Sequence, residues 1–589
     1  MNFRAFHRIL ASVILLLCLF STSVEVQAAT YYFTVDTTND TSDANLTDNI
    51  CADAQNDCSL RAALEQSRPL TQSDQIVNID FDLPSPATIE ITSDLPSYTE
   101  ANLTNDDPLK RITIDGNNNF GLVISGNQST TVEGLIFMNF RLAPIFVYFG
   151  GTDFITNNVL VDNENGIAIS NLNNEEQGVV HVTGNYVGYN PHTESGDPNT
   201  KGIYIKDVAT VSSECEVWIG GNSAADGNVI AGNNLSGIYI ENTNPNTDVV
   251  ILNNFIGMVD DTTPEPNNNH GIEVVKSAGN LNIGGDYLTQ GNLIAGNNNL
   301  GVYIAESNSA SIQGNTFSSN AAGSAYIPNQ MGDVKVFDSP YLRIGGDTTA
   351  YGNVIPQGVT VESNSVNNVN LRIKHNFLGI SRGGYVYPID PDRDGIFVED
   401  ATGFPEISFN QITNFNKGIV ILRNSVVPIS KNKIYGNREM GIDLDDDGVT
   451  LNDNLDIDSG PNGLQNFPVI SNLVLQDFGN VKIIDFDVSL HSAPNKQYYV
   501  EVFSSPFCGS NGYGQGMQVF AYNGSITTDS SGNSGIWHIS DLFPTNIIGP
   551  CLTATATLMD GITPVATSEF SLGVMAWDPE KIFLPMIVR

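Results

Sequence analysis

The chain has 589 residues, with 65 Asp and Glu against 25 Lys and Arg and a formal net charge of −40. Phosphate binding needs a basic face, so this balance argues against nucleic acid as a partner. Most of the acidity reads as solubility and self-repulsion outside a cell, and the length allows several domains.

Residues 1–28 read as a secretory signal. Arg4 and Arg8 give a positive start, Ile9–Phe20 an apolar run, and Val26-Gln27-Ala28 a small-residue cleavage site. The run falls short of the ~20 residues that span a bilayer. No later stretch is long and apolar enough to span, so a secreted or cell-surface protein is expected.

Residues 29–105 read as an N-terminal cap and the first turns of a coil. Cys51 and Cys58 lie close in sequence and are expected to pair before the segment Ser59–Gln66. That segment predicts a short amphipathic helix, with Ser59 as N-cap and Leu60, Ala63 and Leu64 on one face. Ile76–Leu83 and Ile89–Leu95 predict the first strands.

From residue 106 to 466 the chain repeats itself. Asn228-Val-Ile-Ala-Gly-Asn233 leads into Gly237-Ile-Tyr-Ile, and Asn292-Leu-Ile-Ala-Gly-Asn297 into Gly301-Val-Tyr-Ile. Asn432-Lys-Ile-Tyr-Gly-Asn437 leads into Gly441-Ile-Asp-Leu. Short strands separated by Asn/Gly corners predict a coil of stacked parallel strands. Alternate residues such as Ile238 and Ile240 point inward while Tyr239 points out. Gly and Asn tolerate left-handed conformations and are expected to turn the chain. Asn at equivalent corners is expected to form a hydrogen-bonded ladder.

A longer period overlies the short one. Trp218-Ile-Gly-Gly221, Asn282-Ile-Gly-Gly285 and Arg343-Ile-Gly-Gly346 recur at 64 and 61 residues. The single step from Asn410 to Asn432 is 22 residues, so the long period predicts three turns. On that ruler about 16 coils would make a rod about 75 Å long. The insertions Pro191–Thr200, Asp260–Asn269 and Arg382–Asp394 each follow an equivalent phrase. They should emerge on one side of the rod, where aligned loops build a contact face or have simply grown neutrally.

Residues 467–575 change rhythm. Phe486/Val488/Leu490, Tyr498/Val500/Val502 and Leu552/Ala554/Ala556/Leu558 alternate over longer strands and predict an antiparallel, Ig-like β-sandwich tied by Cys508–Cys551. Cys215 reads as a small buried strand residue. Residues 576–589 form a tail that is either a sorting signal or a last strand.

With these residues in view, the chain resembles bacterial secreted right-handed parallel β-helix proteins. Val35-Asp-Thr-Thr, Cys51-Ala-Asp-Ala and Cys58-Ser-Leu-Arg-Ala-Ala resemble a CSLREA-type N-terminal domain, with Ala62 in place of the signature Glu. The Gly-Asn-x-Ile and Gly-Ile-x-Ile phrases are similar to repeats shared by pectate-lyase-like and NosD-like proteins. Gly460-Pro-Asn-Gly-Leu-Gln-Asn-Phe-Pro-Val469 resembles the segment that ends such helices before a sandwich. The resemblance implies the architecture and leaves the activity open.

Of the polygalacturonase pattern the chain has Arg372-Ile373-Lys374, without a Gly-His-Gly and without an Asp pair in the coils just before it. Arg372 and Lys374 therefore read first as solvated outward charges and second as catalytic residues. His181 and His270 stand alone. Asp443, Asp445 and Asp447 alternate before Gly448, and Asp453, Asp456 and Asp458 follow. This set suits a hard cation such as Ca²⁺, although Asn454 stands where a bidentate Glu would close a calcium loop; otherwise it is an acidic linker. Two functional readings follow. The first is non-catalytic display, adhesion or binding of polysaccharide or cell-surface glycan. The second is a polysaccharide lyase or hydrolase of the pectate-lyase-like class.

Overall fold

The structure is a computed structural model describing residues 28–575 apart from 98, 108, 127, 150, 171–177, 208–214, 365–369, 389, 402, 404, 478–481, 510 and 544–550. The expected signal and C-terminal tail lie outside the described residues, except for Ala28 at the cleavage site. No helix among the described residues is long and apolar enough to cross a membrane.

Short apolar strands separated by corners stack into three long parallel sheets of 14, 13 and 12 strands. From Asn102–Thr104 onward each turn of the chain contributes one strand to the first, second and third sheet in order, which makes the expected parallel β-helix. β-Branched residues such as Ile238, Ile272 and Val302 align in register from coil to coil and are fully buried. Their side chains fill one continuous core that runs the length of the coil.

The corners are held by asparagine ladders, as expected. One runs from Asn158 to Asn432 between the first and second sheets. At a typical rung, Asn228 donates from its backbone N–H (3.0 Å) and its Nδ2 (2.9 Å) to Oδ1 of Asn254. A second ladder runs from Asn163 to Asn329 between the second and third sheets. It ends on the buried Asp333 carboxylate, 3.0 Å from Asn329 Nδ2.

Gly and Asn do turn the chain, as expected, but the ladder asparagines are not the turning residues. Left-handed φ belongs to the residue before several of them: Asn157, Gly184, Asn253, Gly314, His375, Phe409 and Lys431. The Gly that opens a third-sheet strand is required by space. A Cβ on Gly202 would sit 2.2 Å from the Gly237 carbonyl oxygen and 3.0 Å from Asn233 Nδ2.

The long period is two coils, not three. In the first sheet Trp218 pairs with Val250, which pairs with Asn282. Ladder steps range from 22 residues at Asn410–Asn432 to 43 at Asn185–Asn228. Successive coils differ. One carries a 3-10 turn at the first corner, as at Ala224–Asp226 and Thr349–Tyr351. The next carries a long loop after its second-sheet strand. Inserted residues thus lengthen the coil sideways, and at ~4.8 Å per strand the 12-stranded sheet is about 58 Å long.

At the N-terminus, Thr30–Val35 pairs in parallel with Ile76–Phe81 and is an additional first strand. The helix spans Leu60–Thr71, longer than expected, and its N-cap Ser59 accepts from Ala62 N at 3.0 Å. Cys51–Cys58 is a disulfide just before it. Arg61 is buried against Asp40 at 2.9 Å.

At the C-terminus a three-stranded and a five-stranded antiparallel sheet share one apolar core containing Phe486, Val500 and Ala554. Cys508–Cys551 is a disulfide, and Cys215 is buried and outside both disulfides, both as expected. This sandwich closes the open end of the coil. Exposed N–H groups of a terminal coil form an edge that invites further pairing. Here Thr567 Oγ1 accepts from Ile429 N (2.8 Å) and Glu501 Oε1 from Lys431 N (3.0 Å). The Gly516 carbonyl accepts from Ile434 N (2.8 Å), and Glu569 Oε1 from Leu444 N (2.9 Å). Gln515 Oε1 accepts from Asn437 N at 3.0 Å. Phe503 and Phe570 extend the coil's core into the sandwich.

Candidate binding groove

The second-sheet strands place one residue of each pair inward and the other on the outer face. Ile230, Ile256 and Ile294 point into the core. The outer column is not polar, as a solvated sheet face would be: Ile136, Val159, Tyr186, Val229, Phe255 and Leu293 follow one another in register. The column ends at Gln411 and Lys433. Two small apolar clusters outside the main core lie along it.

The three predicted insertions all leave the ends of second-sheet strands, so they share one side of the rod as expected. A further loop after Thr316–Phe317 joins them, and the loops touch. Tyr387 donates to Ser319 Oγ at 3.0 Å. These loops wall one side of the apolar column, while corner residues such as Glu133, Asn157 and Gly184 wall the other.

Two clefts lie in this groove. The N-terminal one has a volume of about 610 Å³ and a floor of Ile136, Val159 and Tyr186. Its walls carry Lys110, Arg111 and Glu133 on the corner side and Pro191 and His192 on the loop side. The second cleft, about 270 Å³, has Leu293, Thr316 and Val354 as floor. Its wall includes Arg382, whose guanidinium lies 3.8 Å from the Tyr287 ring centre and donates to Thr349 O at 2.7 Å. Burial pushes the Arg382 pKa down to about 10. Arg382 thus pins its loop across the corner. An apolar floor framed by a few fixed polar groups is the usual form of a ligand site.

The residues singled out from sequence lie elsewhere. Arg372 and Lys374 face outward on the first sheet, Arg372 in register with Arg343 and Glu406 and Lys374 with Gly345 and Ser408. Lys374 pairs with Asp347 at 3.3 Å and Glu406 at 3.4 Å, while Arg372 is exposed. His181 is stacked between Phe154 (5.0 Å) and Trp218 (6.2 Å). His270 stacks on Tyr303 at 5.1 Å, and burial pushes its pKa down to about 4. These rings form cross-strand stacks.

The third sheet holds two carboxylates on adjacent coils that sequence reading missed. Glu241 accepts from Tyr204 (2.5 Å) and Tyr239 (3.1 Å) and pairs with Lys206 (3.4 Å). Glu273 accepts from Ser236 (2.5 Å) and Asn269 (3.0 Å). Burial alone would raise the Glu241 pKa, but the two tyrosine hydroxyls and Lys206 hold it below its ordinary value. A general acid for glycoside cleavage needs the opposite shift. Both carboxylates are engaged within the sheet.

The six aspartates of the expected cation set divide. Asp443 is fully buried and pairs with Lys417 at 2.7 Å, and Asp446 pairs with the same ammonium. Asp445 and Asp447 are exposed. Asp453, Asp456 and Asp458 come together, with one carboxylate oxygen from each lying within 4.8 Å of the others. Asp453 Oδ1 and Asp458 Oδ1 are buried without a hydrogen-bond partner. Asp456 accepts from Asn466 N (3.0 Å) and Ser492 Oγ (2.5 Å). Burial and then the neighbouring Asp charges raise the Asp458 pKa. Hard oxygen donors with unmet charge fit a cation such as Ca²⁺.

No protein-family model matches the chain. Among solved structures it is similar to the Bacteriophage CBA120 tailspike protein 2 enzymatically active domain, at 8% identity and a TM-score of 0.17. The match covers 86% of this chain and 73% of that one.

Proposed function

We propose that this protein is a secreted or cell-surface β-helix protein that binds carbohydrate without cleaving it. On this reading it belongs with the CSLREA-type β-helix repeat proteins, and residues 1–28 are removed on export. Residues 29–105 are cap and first coils, 106–466 the coil, 467–575 the sandwich and 576–589 a tail. The supporting observation is the apolar column on the outer face of the second sheet, framed by loops all on one side. A long, shallow, mixed-polarity groove suits an extended saccharide chain, whose rings offer C–H faces to the floor and hydroxyls to the walls. The carboxylates Glu241 and Glu273 are spent on internal hydrogen bonds, which favours binding over catalysis.

The test is a polysaccharide panel with two readouts. Retention of the protein on at least one polysaccharide, weakened in Tyr186→Ala, supports the reading. Release of reducing ends or unsaturated uronates from any substrate sinks its non-catalytic half and restores the enzyme alternative.

Ca²⁺ forms a second part of the proposal. Bound by Asp453, Asp456 and Asp458, it would stiffen the joint between coil and sandwich. Its support is the pair of buried, unpartnered carboxylate oxygens at that point.

A further inference from the structure

We propose that the N-terminal cleft of the groove binds the anionic group of a saccharide, with Arg111 as its principal contact and Lys110 and His192 beside it. This inference rests on the carbohydrate-binding reading and names the class of sugar.

Basic side chains are scarce in a chain of net charge −40, with 25 Lys and Arg against 65 Asp and Glu. Chance would surround any one of them with carboxylates. Lys110, Arg111 and His192 nevertheless line the same cleft. Arg111 is exposed, and no ion pair engages it among the described residues. Lys110 is held only loosely, 3.5 Å from Asp82. Arg111 and His192 line the same cleft from its two walls, and burial first, then the Arg111 charge, push the His192 pKa down. An anion bound beside Arg111 would favour the protonated imidazole.

The remaining wall groups discriminate between anions. Glu133, fixed by Asn157 Nδ2 at 3.1 Å, and the exposed Asp106 also line the cleft. A bare inorganic anion would be repelled by both. A saccharide carrying an acidic group gives each of them hydroxyl donors while its charge meets Arg111. The floor of Ile136, Val159 and Tyr186 matches the apolar face of a sugar ring. The volume, about 610 Å³, is large enough for more than one such ring. A carboxylated and a sulfated sugar present the same chemistry to this site.

The test is titration calorimetry on the full chain with three oligosaccharides of equal length: neutral, uronate-containing and sulfated. The expected result is that an anionic series binds about 10–100-fold tighter than the neutral one and that salt weakens it. Arg111→Ala should erase this preference, and Arg111→Lys should restore part of it. The variants should melt with the wild type, because Arg111 is exposed. Whether the carboxylated or the sulfated oligosaccharide is preferred identifies the source of the charge. Equal binding of neutral and anionic oligosaccharides, or a preference unchanged in Arg111→Ala, overturns the inference and leaves carbohydrate binding standing. Failure to bind any of the three overturns the carbohydrate reading itself.

Discussion

Inside the coil, backbone N–H groups at the corners are met by neutral amides: Asn228 donates to Asn254, and Asn233 to Asn267. At the joint with the sandwich, the N–H groups of the last coil are met partly by carboxylates, Glu501 and Glu569. Both arrangements satisfy an otherwise open edge. The amide ladder carries no net charge and repeats without limit. The carboxylate cap works once, at an end, and brings a buried titratable group with it. The coil is therefore built for uniform stiffness, and the joint is where solution conditions can act.

The largest expected effect of one substitution is in the ladder. Asn254→Ala removes the acceptor for two donors of Asn228 and three hydrogen bonds made by its own Nδ2. Chemical denaturation should show a loss of about 4 kcal/mol. Asn298→Ala, at an exposed Asn next to the ladder residue Asn297, should cost less than about 0.5 kcal/mol. Equal losses would break the distinction between ladder and surface asparagines.

The joint should respond to pH. Burial raises Glu501 to about 7 and Glu569 to about 8, the latter also through Asp443 and Asp447. A raised carboxylate pKa means the folded state holds more protons than the unfolded chain. Stability is then full below the ordinary value of 4.5 and is lost as pH rises through 7–8. Calorimetry from pH 5 to 9 should show a falling melting temperature, with a change on the order of 6 kcal/mol from the two groups together. Asp153 in the coil is also pushed up to about 8 by burial, so the joint's share is read from Glu569→Gln, which should flatten the slope. An unchanged slope in that variant would remove Glu569 as a source of the pH dependence.

Ca²⁺ should also act at the joint. Saturating Ca²⁺ should raise stability by about 1–3 kcal/mol relative to chelator, and Asp453→Asn with Asp458→Asn should abolish the difference. Identical melting profiles with Ca²⁺ and with chelator would remove the cation from this account. The smallest effect is expected at Arg372, an exposed first-sheet residue. Arg372→Ala should change stability by less than about 0.5 kcal/mol and leave oligosaccharide binding intact.

The parallel coil, its Asn ladders, the N-cap at Ser59, both disulfides and the antiparallel C-terminal strands were legible from residue pattern. Each depends on local spacing: alternation sets the faces, and recurrence of Asn and Gly sets the corners. The loops on one side were legible for the same reason, since equivalent phrases precede them. The count of coils was not, because inserted residues lengthen a turn without adding a strand. The groove was only half visible. An apolar residue between Asn and Ile, as in Asn292-Leu293-Ile294, marks an outer floor position once inward and outward are known.

The amino-acid sequence by itself determined the architecture, because a repeating strand and corner can bury its apolar side only by stacking on its neighbours. Tertiary structure alone decided the rest. It set Arg111 and His192 on the walls of one cleft, although 81 residues of sequence separate them. It parted Asp443 from Asp453, Asp456 and Asp458 by giving the first to Lys417. It also made the sandwich a lid on the coil. These are contacts between residues distant in sequence, and their geometry follows from how many coils and loops lie between them.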